Sequence, residues 1–506
     1  MSSPNKRDEK RLCFGEGREN NNEKEKKPMI SKKSQAYAVI DQKAELLCRV
    51  SDDIWEHPET GMLEFQSAEI LASALEAEGF TVNRGIAGIE TAFTAQYGSG
   101  HPIIGLLGEY DALAGMSQSA GALEKCAAVS GGAGHACGHN LIGAGTMAAA
   151  VGIKAYLEQN QIPGTVIYYG CPGEESSSCK SFMARDGVFR DVDLALAFHP
   201  NSLTYVNAGG TLANCRIYYK FEGRAAHAAV CPEKGRSGLD AVELLNIGVQ
   251  FLREHVDSSV RMHYAIVDTG GTSPNVVQDH AEVLYVLRAA KDQVLQETIE
   301  RVDAIAQGAA LMTGTTLKRT FVKAIAAMIP NSVVGRQVAV NAQNTPMPEI
   351  LQTDLDLAAS YCQTFPSGEV PIQKLYSYYG KEKLAELQGL EGKVFNDFVL
   401  PYPDFEITMM ASTDVGDVSA VCPTAIINIA TQANGTPEHS WQMTAQGKTP
   451  LAHKMMLYAG KVLAGTGIDF LEDLNLVRQA KEEYDRRTGG TGYQPLMPMD
   501  LRPIPM

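Results

Sequence analysis

The 506-residue sequence lacks any apolar run of the roughly 18 residues that a membrane-spanning helix requires. Its first stretch, Met1 to Lys33, also lacks the apolar core of a secretory signal and is rich in Lys, Glu, Asn and Ser. We therefore predict a disordered, solvated tail at residues 1–34 and a cytoplasmic protein without a membrane partner.

Cysteine is sparse and basic residues are outnumbered. Ten cysteines spread over this length do not resemble a disulfide scaffold, so reduced thiols in a cytosolic protein are expected. The formal net charge of −15 and the absence of a Lys/Arg stripe interleaved with aromatic residues argue against a nucleic-acid partner. A small anionic substrate stays compatible with this charge, because a local pocket can be basic in an acidic protein.

Short apolar runs bounded by turn residues alternate with helical patterns. This alternation predicts an α/β domain with a mixed, mostly parallel sheet and helices on both faces. The predicted buried strands are Pro102–Leu107, Thr165–Gly170, Leu194–Phe198 and Ala425–Ala430. A length of 506 residues exceeds what one core usually supports, so a second domain is expected.

The pattern changes between residues 213 and 331, where β-α-β-β-α-β order predicts an inserted ferredoxin-like α+β domain. The sheet domain would then comprise residues 35–212 and 332–506. A helical, Tyr-rich excursion is predicted within the second part, at Leu351–Gly392.

Cys137 and His139 are separated by one glycine. That spacing is wrong for one face of a helix but suits a turn that points a thiolate and an imidazole at one metal ion. Taken alone, the pair is equally compatible with a Gly-rich turn that holds a buried thiol and a hydrogen-bonded histidine.

Glu174 and Glu175 follow directly on a predicted buried strand, where adjacent carboxylates would repel each other. A metal ion removes that repulsion: one carboxylate binds the ion while the other accepts a proton from metal-bound water. His199 and His439 are ambiguous when each is considered by itself.

These candidates lie near the ends of different strands. Because ligands bind at the carboxyl ends of strands in open α/β sheets, residues distant in sequence have a physical reason to meet. A mixed Cys, His and Glu donor set fits Zn²⁺ or Mn²⁺ better than Ca²⁺ or Mg²⁺. Asp111 is better placed to orient a ligating histidine than to bind metal.

Five segments together resemble the aminoacylase/carboxypeptidase-G family of dinuclear metallopeptidases, specifically its amidohydrolase subfamily, in which a cysteine joins the metal ligands. They are Trp55-x-His57-Pro58-Glu59, Glu109-Tyr110-Asp111-Ala112-Leu113, His135-Ala136-Cys137-Gly138-His139, Glu174-Glu175 and Ala226-His227-Ala228-Ala229. The resemblance runs from about residue 36 onward. Asn140 and the run Ser176-Ser177-Ser178 depart from the usual pattern, which leaves the acyl group less certain than the reaction.

The resemblance implies two divalent metal ions, Mn²⁺ or Zn²⁺, and Glu174 as general base and later general acid. Asp111 would be the supporting carboxylate. The implied metal ligands are Cys137, His139, Glu175, His199 and His439.

The resemblance also assigns roles to the inserted domain, residues 213–331, as a lid and dimerisation domain. His227 would polarise the scissile carbonyl across a dimer, and Asn275 and Arg288 would hold the substrate carboxylate. The implied substrate is an N-acyl amino acid, specifically p-aminobenzoyl-glutamate or a related aroyl-glutamate. The implied partner is a second copy or a related subunit in a hetero-oligomer.

Three alternatives stay open. A hydrolase of other N-acyl amino acids or of dipeptides would share every catalytic residue. A hydrolase with Cys137 as nucleophile would need no metal. A non-catalytic binding subunit of a hetero-complex would have no activity to lose.

Overall fold

The computed structural model describes residues 32–365 and 392–505. Its strands are β1 (Thr81–Arg84), β2 (Phe93–Ser99), β3 (Ile103–Glu109), β4 (Gly164–Cys171), β5 (Leu194–Asn201), β6 (Tyr205–Val206), β7 (Ala213–Glu222), β8 (Arg261–Asp268), β9 (His280–Ala289), β10 (Thr316–Ile325) and β11 (Thr424–Ala430). Its α-helices are α1 (Lys32–Gln42), α2 (Ala44–Glu56), α3 (Phe65–Ala77), α4 (His139–Asn160), α5 (Cys179–Arg185), α6 (Gly238–Leu252), α7 (Asp292–Thr313), α8 (Ser332–Asn344), α9 (Gln352–Cys362), α10 (Val415–Ser419), α11 (Trp441–Gln446), α12 (Pro450–Glu472) and α13 (Leu474–Thr488).

The larger sheet has seven strands in the order β1–β2–β4–β3–β5–β11–β6. The four central strands, β4, β3, β5 and β11, pair in parallel, and they are the four strands predicted from the apolar runs. The pairs toward the two edges are antiparallel. The predicted mixed, mostly parallel α/β sheet is confirmed.

Both faces of this sheet are buried, which is why its central strands are continuously apolar. In β5, Leu196 and Phe198 point into a core shared with α4 and α12. Ala195 and Ala197 point the other way, into a second core that includes Phe182 of α5. Helices therefore cover both faces, as predicted.

β7 to β10 and the helices between them follow the predicted β-α-β-β-α-β order. The four strands form an antiparallel sheet in the order β10–β7–β9–β8. Alternate residues of β7, such as Ile217 and Tyr219, are buried with apolar residues of α6 and α7. Arg216 and Tyr218 lie on the opposite, partly exposed face. We refer to residues 213–325 as the inserted unit.

Two predictions concern segments that the structure describes only in part. α1 begins at Lys32, inside the predicted tail, and the rest of that tail lies outside the described residues. The predicted Tyr-rich excursion contributes α9, while residues 366–391 lie outside the description. Among the described helices, none combines the length and apolarity needed to cross a membrane.

Candidate metal centre

The carboxyl ends of three neighbouring strands define the centre. Glu109 is the last residue of β3, and His199 lies near the end of β5. Glu174 and Glu175 follow β4, which ends at Cys171. Since β4, β3 and β5 are adjacent in the sheet, these side chains are brought to one edge, as the strand-end argument predicts.

A glycine turn directs Cys137 and His139 to the same place. Gly138 has a φ of +74°, and an added Cβ would lie 3.0 Å from Pro200 Cγ, so glycine alone fits without strain. His139 is the first residue of α4, whose buried body fixes its position. His439 arrives from a separate loop, tied by a 3.2 Å hydrogen bond from its amide nitrogen to the Ala136 carbonyl oxygen.

The predicted ligands and Glu174 come together in the structure. Within each of three overlapping groups, the potential ligand atoms lie within 4.8 Å of one another. The groups are Cys137, His139 and His199; Cys137, Glu175 and His439; and His139, Glu174 and Glu175. Because Cys137, His139 and Glu175 each belong to two groups, the arrangement offers neighbouring positions for more than one ion.

Asp111 fixes the orientation of His139. His139 Nδ1 donates to Asp111 Oδ1 at 2.8 Å, and Asp111 Oδ2 accepts from the Glu175 amide at 3.0 Å. His139 Nε2 is buried and has no hydrogen-bond partner, so its lone pair is left for a metal ion. The donor chemistry and this unpaired nitrogen fit a divalent transition metal.

His199 is prepared in a similar way. Its Nδ1 donates to the Pro200 carbonyl oxygen at 2.8 Å, which leaves Nε2 unprotonated and 3.3 Å from Cys137 Sγ. Burial and then the nearby His139 lower the pKa of His199, which keeps the imidazole neutral. A neutral imidazole is the form that binds metal.

The two adjacent glutamates differ in proton affinity. Burial would raise the pKa of Glu175, but the hydrogen bond from His439 and the charge of His139 outweigh it and lower this pKa to about 2. His439 Nε2 lies 3.2 Å from Glu175 Oε1. Burial and the carboxylates of Glu109 and Asp414 raise the pKa of Glu174 well above its ordinary value. The environments thus separate one anionic ligand from one proton acceptor.

A buried ion-pair network, absent from the sequence-based prediction, supports the centre. Lys180 Nζ lies 2.7 Å from Glu109 Oε1 and 2.6 Å from Asp414 Oδ1. Burial lowers the pKa of Lys180, but Asp414 and Glu109 outweigh it and raise this pKa well above its usual value. The only sequence signal was a lysine close behind the glutamate pair.

The predicted substrate residues lie on the inserted unit and apart from the donors. His227 is exposed, and its Nδ1 accepts from the Ala229 and Val230 amides at 3.2 and 3.3 Å. Asn275 is also exposed, while Arg288 is half-buried and donates to Ser412 Oγ at 2.9 Å. Within residues 32–365 and 392–505, no hydrogen bond or ion pair joins these three to the donor cluster.

Lys323, which sequence reasoning missed, links the inserted unit to the loop after the glutamate pair. Its ammonium is buried and donates to Ser178 Oγ at 2.7 Å. Ser178 has a φ of +56°, a strained conformation for a non-glycine residue. Burial and then Arg216 lower the pKa of Lys323 to about 8.

Comparison with known proteins gives a consistent family. The model of the peptidase family M20/M25/M40 matches residues 105–354. The chain is also similar to one of the two kinds of subunit of p-aminobenzoyl-glutamate hydrolase from Escherichia coli K12. The two proteins are 43% identical over 466 residues, which cover 90% of this chain and 95% of the E. coli protein.

Two further similarities are less extensive. Xaa-Arg dipeptidase of Mus musculus is 31% identical over 299 residues, which cover 56% of this chain and 64% of that protein. The crystal structure of an aminobenzoyl-glutamate utilization protein from Klebsiella pneumoniae has a TM-score of 0.57 at 18% identity, covering 86% of this chain and 98% of that chain. This last likeness shows a shared fold.

Proposed function

The chain belongs to the peptidase family M20/M25/M40, and we propose that it hydrolyses p-aminobenzoyl-glutamate or a related aroyl-glutamate as a two-metal amidohydrolase. The similarity to the E. coli hydrolase protein over nearly its whole length confirms the resemblance and the hydrolase activity on amide bonds. The observation that carries the proposal is the set of overlapping donor groups around Cys137, His139 and Glu175.

Five residues would hold the two ions, Mn²⁺ or Zn²⁺. They are the predicted ligands Cys137, His139, Glu175, His199 and His439. When bound, such ions lower the pKa of water from 15.7 to about 7 and polarise the scissile carbonyl. The neutral His199, the anionic Glu175 and the unpaired His139 Nε2 are already in the states that bind metal.

Glu174 is the proposed proton carrier. Its raised pKa favours uptake of a proton from the attacking water near neutral pH. The protonated Glu174 then donates to the amine of the leaving amino acid. Asp111 contributes by holding both His139 and the backbone of Glu175 in register.

The proposed recognition of the substrate carboxylate rests on Arg288 and Asn275, and two further cations strengthen it. Arg216 and Lys323 are cross-strand partners on β7 and β10, and Arg288 pairs with Asn214, two residues before Arg216. All three cations therefore lie on the same face of the inserted sheet. A dicarboxylic product such as glutamate would be attracted to this face.

A second chain is part of the proposal. β8 is an edge strand of the inserted sheet, and its exposed residues include Tyr264, Ile266 and Val267, each 40–49% exposed. Such an apolar edge is a pairing surface. We place a second copy of the chain there, with a related subunit as the alternative, and His227 would reach the partner's centre. We also propose a cytoplasmic location, where Cys137 stays reduced.

The alternatives lose support to different degrees. The similarity to a dipeptidase covers 56% of the chain, so dipeptides remain a second substrate class to test. A Cys137 nucleophile is disfavoured because burial raises the pKa of this thiol well above its ordinary value. A non-catalytic role in a hetero-complex is disfavoured because Glu174 and all five proposed ligands are present.

The proposal is tested by metal analysis and a substrate panel on the purified protein. We expect two Mn²⁺ or Zn²⁺ ions per chain and faster turnover of p-aminobenzoyl-glutamate than of acyl amino acids with neutral side chains or of dipeptides. A matched p-aminobenzoyl amide without carboxylates should be a poor substrate. Turnover of dipeptides alone would replace the proposed substrate, and a metal-free active protein would overturn the mechanism.

A further inference from the structure

Lys180 is the most completely buried cation next to the centre. Its side chain is 0% exposed, as is that of Asp414, while that of Glu109 is 7% exposed. The Lys180 ammonium is 2.7 Å from Glu109 Oε1, and both the ammonium and the amide nitrogen of Lys180 donate to Asp414. Three segments, β3, the start of α5 and the residue before α10, are therefore joined at one point.

Glu109 stands close to the proposed ligands without belonging to their groups. Its second oxygen, Oε2, is 3.5 Å from His139 Nε2, the buried nitrogen without a hydrogen-bond partner. Two atoms at that separation can bind the same ion. Yet no donor group found among the described residues includes Glu109.

The engaged oxygen explains this exclusion. Oε1 of Glu109 is committed to an ammonium that is itself held by Asp414, so the carboxylate cannot turn freely toward the ligands. A buried ion pair of this kind is costly to break, because the remaining charge would be left without a partner. Lys180 thus restricts both the position and the charge of Glu109.

We propose that Lys180 is a positioning residue that holds Glu109 by one carboxylate oxygen and thereby keeps this carboxylate out of the metal ligand set. The proposal rests on the proposed two-metal function. Its chemical consequence concerns the ions' acidity: each additional anionic ligand tightens metal binding but reduces the ability of the ion to acidify water and polarise a carbonyl. Lys180 would therefore favour turnover over metal affinity.

The first test is Glu109→Gln, which keeps the shape of the side chain and removes its charge. We expect the dissociation constant for Zn²⁺, measured by competition with a coloured chelator, to stay within about threefold of the wild-type value. His199→Ala serves as the reference, since loss of a ligand should weaken binding by at least about tenfold. A tenfold weakening in Glu109→Gln, with unchanged thermal unfolding, would make Glu109 a ligand and overturn the proposal.

The second test is Lys180→Met, alone and with Glu109→Gln. Freeing Glu109 should tighten Zn²⁺ binding by about tenfold and lower kcat with little change in KM. The double variant should bind Zn²⁺ as the wild type does, because the freed carboxylate is gone. If Lys180→Met only lowers the melting temperature and leaves metal affinity unchanged, Lys180 is merely structural. Should it fail to fold, Glu109→Gln still decides the question.

Failure of the proposed function is distinguishable from failure of this inference. A wild-type protein that binds no Zn²⁺ or Mn²⁺ contradicts the two-metal function itself. A wild-type protein that binds metal, together with unequal behaviour of the variants described above, bears only on Lys180 and Glu109.

Discussion

Asp111 and His139 form a hydrogen bond between two fully buried side chains, with 2.8 Å between Oδ1 and Nδ1. The carboxylate has no proton to give, so the imidazole must donate from Nδ1. This fixes the tautomer with a free lone pair on Nε2. The catalytic value of Asp111 would thus lie in the tautomer it imposes on His139.

The first prediction concerns Asp111→Asn. An amide that presents its NH₂ group to Nδ1 favours the other tautomer, which protonates Nε2. We expect metal affinity to fall on the order of 10–100-fold and kcat to fall with it. Chelator competition measures the affinity, and high metal concentrations should partly restore activity. Unaltered metal binding would separate Asp111 from the centre.

The second prediction concerns Glu174→Gln. The amide cannot accept a proton from water, so kcat should fall by about 10²–10⁴-fold. Metal content should stay at the wild-type level, because Glu174 is the proposed base and Glu175 the ligand. Metal analysis of the same preparation is the control. Loss of metal instead of turnover would exchange the two roles.

The third prediction separates a metal-binding Cys137 from a nucleophile. A chelator should abolish activity, and Mn²⁺ or Zn²⁺ should restore it. Cys137→Ser should weaken metal binding by at least about tenfold, since a hydroxyl is a poor ligand compared with a thiolate. Activity that survives chelation but is lost on alkylation would support the cysteine nucleophile.

The fourth prediction concerns His227 and the partner chain. Homodimers of His227→Ala and of Glu174→Gln should each be nearly inactive. If His227 acts in the partner's centre, subunit exchange between them should restore about a quarter of wild-type activity, because half of the dimers regain one complete centre. Ile266→Lys on the edge strand β8 should weaken dimers, as sedimentation would show. Exchange without any recovery would place His227 in its own chain's centre or outside catalysis.

The fifth prediction concerns pH and Asp417. Burial raises the pKa of this carboxyl to about 7, despite hydrogen bonds from Ser181 and Tyr493. Between about pH 4 and 7 the folded protein keeps a proton that the unfolded chain releases, so stability falls as pH rises through this range. The contribution is up to about 1.4 kcal/mol per pH unit.

Asp417→Asn cannot ionise and should lack this contribution. Its unfolding free energy relative to wild type should therefore rise steadily from pH 4.5 to 7 and level off above that range. Denaturant unfolding at several pH values measures the difference. A constant difference across the range would show that Asp417 is ionised in the folded state throughout.

The sequence predicted the core of the fold because central strands of a doubly covered sheet are apolar throughout. Thr165–Gly170 and Ala425–Ala430 are examples, and each became a central strand. The proposed ligands were found for a related reason: Glu174 and His199 are polar residues that lie immediately beyond or near the end of such runs. An unexpected polar group at a buried strand end was itself the signal.

Other features were not accessible from the sequence. Edge strands have one partner and exposed faces, so β1, with its sequence Thr-Val-Asn-Arg, carries no apolar run. Lys180 follows Cys179 in an unremarkable helix, and a lysine is normally exposed. Its partner Asp414 is 234 residues away, so only the three-dimensional structure shows the pair.

The position of β11 has a consequence for how the protein is made. This strand lies between β5 and β6, which are consecutive in sequence, and the inserted unit is synthesised before it. On the ribosome the inserted unit is complete while the large sheet still has a gap. We expect the nascent chain to present a folded inserted unit first and to acquire metal last, after His439 has emerged from the exit tunnel.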